Sequence, residues 1–289
     1  MTKRYIPTGV TDLTPEETAK YSELIDQVTT ILNKKNYQLI QTPTLESFDF
    51  LANGMGPTLQ QKSVKFVDTT GQVVTLRPDN TLAVARLVST RLKHHTNPLK
   101  LYYKAPVFRI TDPHSNQNME RFQIGLEYIG EKSPKIDAEV IKQCIDCIKA
   151  TGIKSFGVDI GHVDFAKGFS SDKKEALLNG DYVKLGYIPE RGGTELIQDH
   201  QELSRCMKHL IDDGYGEYIT VNKGLVKDLH YYTGIIFDVY VGLTKKSVAS
   251  GGRYDNLLGL FGEDRPAVGF AYNVDKLIDE LNEQEELAC

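Results

Sequence analysis

Apolar residues recur at helical spacing through 21–32, where Tyr21, Leu24, Ile25, Val28, Ile31 and Leu32 mark one face. Thr14-Pro15-Glu16-Glu17 precedes them. Thr14 suits the N-cap, Pro15 the first turn, and Glu17 completes a capping box. Lys34, Lys35 and Asn36 close this helix at its negative pole. A strand is predicted at 37–41, stopped by Pro43, and two more at 65–68 and 73–77, joined by a turn at Thr70-Gly71. Asp79 or Asn80 caps a helix carrying Leu82, Ala85, Leu87, Val88 and Leu92. Strands are read at 99–103, 107–110 and 122–129, with a long polar hairpin loop over 111–121. A helix over 136–150 ends at Gly152, and a strand follows at 156–160.

From His162 to Asp213 the pattern turns helical and polar, broken by Gly180, Gly186, Gly192 and Gly193. Strands return at 218–222, 235–241, 248–250 and 268–272, with a Gly-Gly turn at 251–252, a short helix at 254–260, a helix at 274–281 and a solvated tail after it. Hairpins between helices, without regular strand–helix alternation, predict an α+β fold on an antiparallel sheet flanked by helices. No Gly-, Ser- or Pro-rich linker interrupts the chain and no repeat is visible. One domain over 1–289 is expected, with a helical insertion near 162–213.

Composition narrows the function classes. The 289 residues are 40% hydrophobic and 25% charged, ordinary globular values. The 34 basic and 39 acidic residues leave a net charge of −5, which gives no electrostatic argument for nucleic acid. Four cysteines are too few for a disulfide framework in a chain this long. No apolar run approaches the roughly 20 residues of a membrane span, and the first residues lack a signal-peptide pattern. A cytoplasmic protein away from the membrane is expected. P-loop, GxGxxG and HExxH motifs are absent, so no cofactor and no metal site is expected. Cys144-x-x-Cys147 sits within the apolar face of Val140, Ile141, Ile145 and Ile148, which makes it a pair of core thiols.

Several stretches resist a purely structural reading. Arg77-Pro78-Asp79-Asn80-Thr81 places an acid, an amide and a hydroxyl at one helix start. Phe108-Arg109 borders the long loop, and period two puts Gln123, Gly125 and Glu127 on one strand face. His230-Tyr231-Tyr232-Thr233-Gly234 supplies an aromatic pair, and Gly251-Gly252-Arg253-Tyr254-Asp255 a glycine pair beside a cation. Singly, each has an ordinary packing or turn explanation.

Together and in order, they resemble the catalytic domain of histidyl-tRNA synthetase, a class II aminoacyl-tRNA synthetase. The similarity runs from Gly9 to Leu277. Thr42-Pro43-Thr44-Leu45-Glu46 is similar to motif 1, which implies a homodimer core. Phe108 to Glu127 is similar to motif 2, and Pro266 to Leu277 to motif 3. Leu225-Val226 with Tyr231 to Gly234, and Gly251 to Asp255, resemble two signatures of the histidine enzyme. The resemblance implies histidine-binding roles for Asp79, Thr81, Arg109, Gln123, Glu127, Tyr231 and Tyr232. Glu127 is expected at the α-amino group with Asp79 and Thr81, Arg109 at the α-carboxylate, and Gln123 with the tyrosines around the imidazole.

The departures lie on the nucleotide side. Lys276 and Lys227 stand where the family has arginines, Thr111 where it has a glutamate, Gln117 where it has a further arginine, and His230 where it has an acid. Lysine lacks the two-pronged contact of a guanidinium. The length implies no anticodon-binding domain and no tRNA. The pattern is most similar to a paralogous family, the regulatory subunit of ATP phosphoribosyltransferase. That resemblance implies no catalysis of its own, a short-form catalytic partner subunit in a hetero-oligomer, and L-histidine as feedback effector of histidine biosynthesis. A truncated synthetase-like enzyme that activates histidine is the alternative, and a dimeric scaffold with a relic pocket is the third reading.

Overall fold

In the computed structural model, which describes residues 6–96, 98–112, 118–242 and 247–288, α1 (Pro15–Lys34) starts at the expected capping box. The Thr14 side chain accepts from the Glu17 amide, and the Glu17 carboxylate accepts from the Thr14 amide at 2.7 Å. Asn36, at φ 62°, turns the chain into β1 (Gln38–Leu39), shorter than the strand expected at 37–41. Next come β2 (Leu45–Ser47), α2 (Phe48–Ala52), α3 (Pro57–Gln61), β3 (Lys65–Val67), β4 (Val73–Leu76) and α4 (Asn80–Arg91). β5 (Leu99–Phe108) is one strand where two were expected, and it pairs in unbroken antiparallel register with β6 (Glu120–Ile129).

After α5 (Pro134–Ala150) and β7 (Phe156–His162), the 162–213 stretch holds α6 (Ser171–Asn179), α7 (Tyr182–Leu185), the two-residue strand β8 (Arg191–Gly192) and α8 (Gln201–Asp212). β9 (Ile219–Asn222), β10 (Ile235–Val241), β11 (Ala249–Arg253), β12 (Ala267–Asn273) and α9 (Val274–Ala288) complete the chain. Only a 3-10 turn at Leu258–Leu260 stands where a helix over 254–260 was expected. The supposed tail from 282 continues α9, where Asn282 accepts from Lys20 of α1. Gln117 and Cys289 lie outside the described residues.

Among the described residues the main sheet runs β1-β5-β6-β12-β11-β10-β7-β9-β8, and a second sheet runs β2-β4-β3. The main sheet is antiparallel from β5 to β7, with parallel pairings at β1–β5 and β7–β9, so the fold is α+β and the sheet is mixed. Period two assigns the faces. Tyr102, Ile124, Leu126 and Tyr128 point into the larger core with Leu24, Val28 and Leu32 of α1, Ile141 and Ile148 of α5, and Leu277 of α9. Leu99, Leu101 and Tyr103 point the other way, onto Leu82, Ala85 and Val88 of α4. Gln123, Gly125 and Glu127 share that second face.

Two buried arginines tie the layers. Arg77, 1% exposed, donates to the carbonyls of Thr42, Pro43 and Pro106 and to the Thr42 hydroxyl at 2.8–3.1 Å. Arg253 of β11 meets Asp137 of α5 at 2.8 Å and Asp255 at 2.9 Å. Cys144 and Cys147 are buried and free in the larger core, where burial pushes the Cys144 thiol up to about 12.

Gly251 and Gly252 form no turn. They lie inside β11, paired with Phe237 and Ile236 of β10 and with Phe270 and Gly269 of β12. The glycines are there because neighbours fill the Cβ position. At Gly251 a Cβ would lie 2.5 Å from the Phe237 ring and 2.6 Å from the Gly269 carbonyl. Gly251→Ala is therefore expected to destabilise by about 1–3 kcal/mol, as overpacking of a tight core does. Urea unfolding checks this as a lower midpoint at unchanged slope.

Candidate functional site

The site lies on the second face of the sheet, where α4 begins. Asp79 caps α4, its Oδ1 accepting from the Leu82 amide at 3.0 Å. Its Oδ2 faces Arg109 Nη2 at 3.4 Å, while Arg109 Nε donates to the Pro78 carbonyl at 2.8 Å. Asn80 donates to Gln123 Oε1 at 3.1 Å, and Thr81 donates to Glu127 Oε1 at 2.8 Å. Three successive residues of one helix start thus reach Arg109, just beyond β5, and Gln123 and Glu127 of β6. Tyr231 and Tyr232 pack with ring centroids 4.9 Å apart, and Tyr254 meets Tyr231 edge-on at 5.7 Å.

These groups surround a cavity of about 220 Å³. Ligand pockets commonly run from about 300 Å³ upward, so this one suits a molecule of amino-acid size. Asp79, Thr81, Arg109, Gln123, Tyr231 and Tyr232 line it, six of the seven residues expected. Glu127 stands behind the wall. Both its oxygens are taken, by Thr81 and by a short hydrogen bond from the Tyr254 hydroxyl. Its carboxylate lies over Gly269 of the paired strand β12, in the space a Cβ would need. Burial raises its pKa to about 8, with Asp79 adding repulsion, against the lowering effect of the Tyr254 and Thr81 hydrogen bonds. Burial likewise raises Asp79, partly offset by Arg109.

Four residues of the site had no role assigned from the sequence. Tyr254 belongs to a recognised signature, but its contact with Glu127 runs between strands that only the register brings together. Asn80 belongs to the singled-out 77–81 stretch but was given no ligand role, and Tyr103 carries no motif. Lys227, noted only as a replaced arginine, lines the cavity beside Ser250. Its ammonium donates to the Phe237 carbonyl, Asp238 and Ser250 at 2.5–2.8 Å. Of the other replaced positions, Lys276 donates to the Ser247 carbonyl at 2.7 Å. The His230 ring packs on Gly56.

Among the described residues, His162, Asp164 and His200 form a cluster of ligand-type side chains outside the cavity lining. Each imidazole already uses Nδ1 to accept a backbone amide, from Asp164 and from Leu203, and so caps a helix. Among the described residues no helix is long and apolar enough to cross a membrane.

The comparisons with known proteins agree with this fold. The family model described as histidyl-tRNA synthetase matches residues 9–179 and 187–277. The apo histidyl-tRNA synthetase of S. aureus superposes with a TM-score of 0.75 at 26% identity, over 98% of this chain and 71% of that one. The fold is thus that of a class II, histidyl-tRNA synthetase-like protein. An ATP phosphoribosyltransferase regulatory subunit of Clostridium acetobutylicum is 34% identical, over 97% of this chain and 80% of the relative. That of Halothermothrix orenii is 31% identical, over 92% and 73%. A structure from Bacillus halodurans C, described as an ATP phosphoribosyltransferase regulatory subunit/histidyl-tRNA synthetase, gives a TM-score of 0.87 at 29% identity, over 97% of this chain and 83% of that one. The chain belongs to the family of ATP phosphoribosyltransferase regulatory subunits.

The buried Glu127 carries a pH signature. Its folded pKa of about 8 exceeds the ordinary 4.5, so between those values the native state holds a proton that the unfolded chain has lost. Stability from this group therefore falls as pH rises through that window. Glu127→Gln is expected to remove up to about 1.4 kcal/mol per pH unit from the slope. Unfolding free energies measured from pH 5 to 8 on both proteins check it.

Proposed function

We propose that this chain is a non-catalytic regulatory subunit of ATP phosphoribosyltransferase, working in the cytoplasm with a short-form catalytic subunit. We read its cavity as the L-histidine site that confers feedback inhibition. One contrast carries the reading. The groups suited to an amino acid converge on a cavity of about 220 Å³, while the lysines at the nucleotide-side positions spend their ammonium groups on the protein itself. Asp79 and Glu127 offer negative charge to an α-amino group. Arg109 offers a guanidinium to the carboxylate, and Tyr231, Tyr232 and Gln123 offer walls and hydrogen bonds to the imidazole. Residues 1–289 act in this reading as one synthetase-like domain, with 162–213 as a helical insertion in it.

Histidine binding in this reading must expel the Glu127 proton, because an ammonium nearby favours the carboxylate. Truncating Glu127 leaves that ammonium with Asp79 alone, which Arg109 already engages, at about 2–5 kcal/mol by analogy with broken buried charge pairs. In the assembled complex, Glu127→Ala is expected to leave phosphoribosyl transfer near wild type and to weaken histidine inhibition about thirtyfold or more. A histidine titration of activity on both complexes checks it, and unchanged inhibition would place the effector site elsewhere. Arg109 favours the enzyme alternative, since it matches a synthetase residue. Lys227 and Lys276, at the other nucleotide-side positions, hold their ammonium groups on the protein itself, so no histidine-dependent pyrophosphate exchange is expected from the isolated chain. Clear exchange above a no-protein control would favour the enzyme.

A homodimer core completes the proposal. The small sheet leaves Leu45, Phe66, Val67 and Val73 exposed beside the motif 1 segment, an apolar surface that a second copy would cover. Sedimentation at micromolar concentration should give a dimer, and Val67→Asp should shift it toward monomer. A wild-type monomer would refute this assembly.

A further inference from the structure

Lys227 lines the cavity, yet its three donors are all used by the Phe237 carbonyl, Asp238 and Ser250. Asp238 of β10 stands directly opposite Asp159 of β7 in the antiparallel register. Like charges so placed repel, and each carboxylate here has its own cation. Lys227 serves Asp238 at 2.5 Å; Arg191 serves Asp159 at 2.5 Å, helped by Asn222 at 2.8 Å. One cation is therefore at the cavity, and the other begins β8 of the helical insertion.

The chain from 223 to 229 joins the same two places. Lys223 donates through its amide to the Glu190 carbonyl at 3.0 Å and pairs with the Glu190 carboxylate at 2.7 Å. Pro189 lies against Gly224, where a Cβ would come within 2.5 Å of it. Val226 packs on Ala176, Leu177 and Leu185, the insertion's own small core. The next residues, Lys227, Asp228 and Leu229, are cavity wall. With only three buried apolar side chains in that core, the stretch from α6 to β8 is the weakly held part of the insertion, whereas α8 packs into the larger core through Leu203, Met207 and Leu210.

We propose that Lys227, the Asp238–Asp159 pair and Arg191 form a charge relay that reports occupancy of the cavity to the helical insertion. It rests on the reading that the cavity takes an amino acid. Arg109 and Lys227 both line the cavity, and the ligand's carboxylate, shared between them, competes with Asp238 for the Lys227 ammonium. When Lys227 turns to the ligand, Asp238 loses its cation and both carboxylates depend on Arg191. Arg191 is drawn inward and β8 is held more tightly. The effect reaches the segment before β8, where Val183 and Ile188 stand 95% and 76% exposed and a partner subunit could sense the change. Reciprocity requires that the insertion also set the affinity of the cavity.

The experiment is hydrogen–deuterium exchange on the full chain at 186–192, with and without L-histidine, alongside calorimetry of histidine binding on the same samples. Histidine is expected to slow these amides about fivefold in wild type, the lower end of ordinary coupling. Lys227→Met should slow them without histidine, because it leaves both carboxylates to Arg191. Adding Asp238→Asn to Lys227→Met should restore the wild-type rates. Arg191→Gln should weaken histidine binding about fivefold, because Lys227 is then held by two bare carboxylates, and Asp238→Asn should cancel that loss. Histidine binding without a change at 186–192 would overturn the relay. Lys227→Met exchange identical to wild type would do the same. If Lys227→Met does not fold, the Arg191→Gln and Asp238→Asn cycle decides. If wild type binds no histidine, the cavity reading fails, and the ligand-free comparison of Lys227→Met with its double variant still judges the relay.

Discussion

Arg77 spends its guanidinium on main-chain carbonyls and one hydroxyl, in a site that excludes water. Such a group is costly to bury and is held only where every donor finds a partner. Those partners come from the Thr42–Pro43 segment and from Pro106 of β5, while the Phe108 amide returns a hydrogen bond to the Arg77 carbonyl at 2.9 Å. One side chain thereby fixes three separate pieces of chain. The next residues are Pro78, Asp79, Asn80 and Thr81. The start of α4 is thus set relative to β5 and β6, and with it the aim of Thr81 at Glu127, Asn80 at Gln123 and Asp79 at Arg109.

That arrangement concentrates acid where solvent is excluded. Asp79 and Glu127 are both buried on one face, burial raises the proton affinity of each, and Asp79 adds to that of Glu127. The protein tolerates this by engaging every oxygen: a helix amide and an arginine for Asp79, a threonine and a tyrosine for Glu127. Across the same sheet, Asp238 and Asp159 are balanced by a lysine and an arginine. Both sites are electrostatically poised, with charges compensated by partners that a ligand of opposite sign or matching shape could replace.

Much of the fold was legible because it is local. The capping box at Thr14, the apolar face of α5 and the N-cap at Asp79 each depend on residues a few positions apart. Strand pairing is less local, and there the pattern misled: Gly251-Gly252 reads as a turn until Phe237 and Gly269 are known to lie across from it. The same holds for the site. Thr81, Gln123 and the tyrosine pair announced themselves by spacing and by family resemblance. The depth of Glu127 did not, because it depends on Gly269 offering space on a strand 142 residues further along. Tyr254, which closes over that carboxylate, was hidden for the same reason. Lys227 was read as a weakened nucleotide contact, whereas its geometry makes it the counterion of Asp238.

The pairing of β6 with β12 has a consequence for how the chain comes into being. Strands ending at Ile129 and beginning at Ala267 are neighbours, so everything between them must be synthesised before the cavity has a floor. Pairing so distant in sequence is slow to form, and until it does an unpaired β6 edge stands open beside β5. While the chain is being made, its first half can assemble a hairpin and a helix, but it has no Gly269 for Glu127 to lie against and no Tyr254 to hold it. The cavity is thus among the last features of this protein to exist on the ribosome, and chains released early carry an open sheet edge in place of its floor.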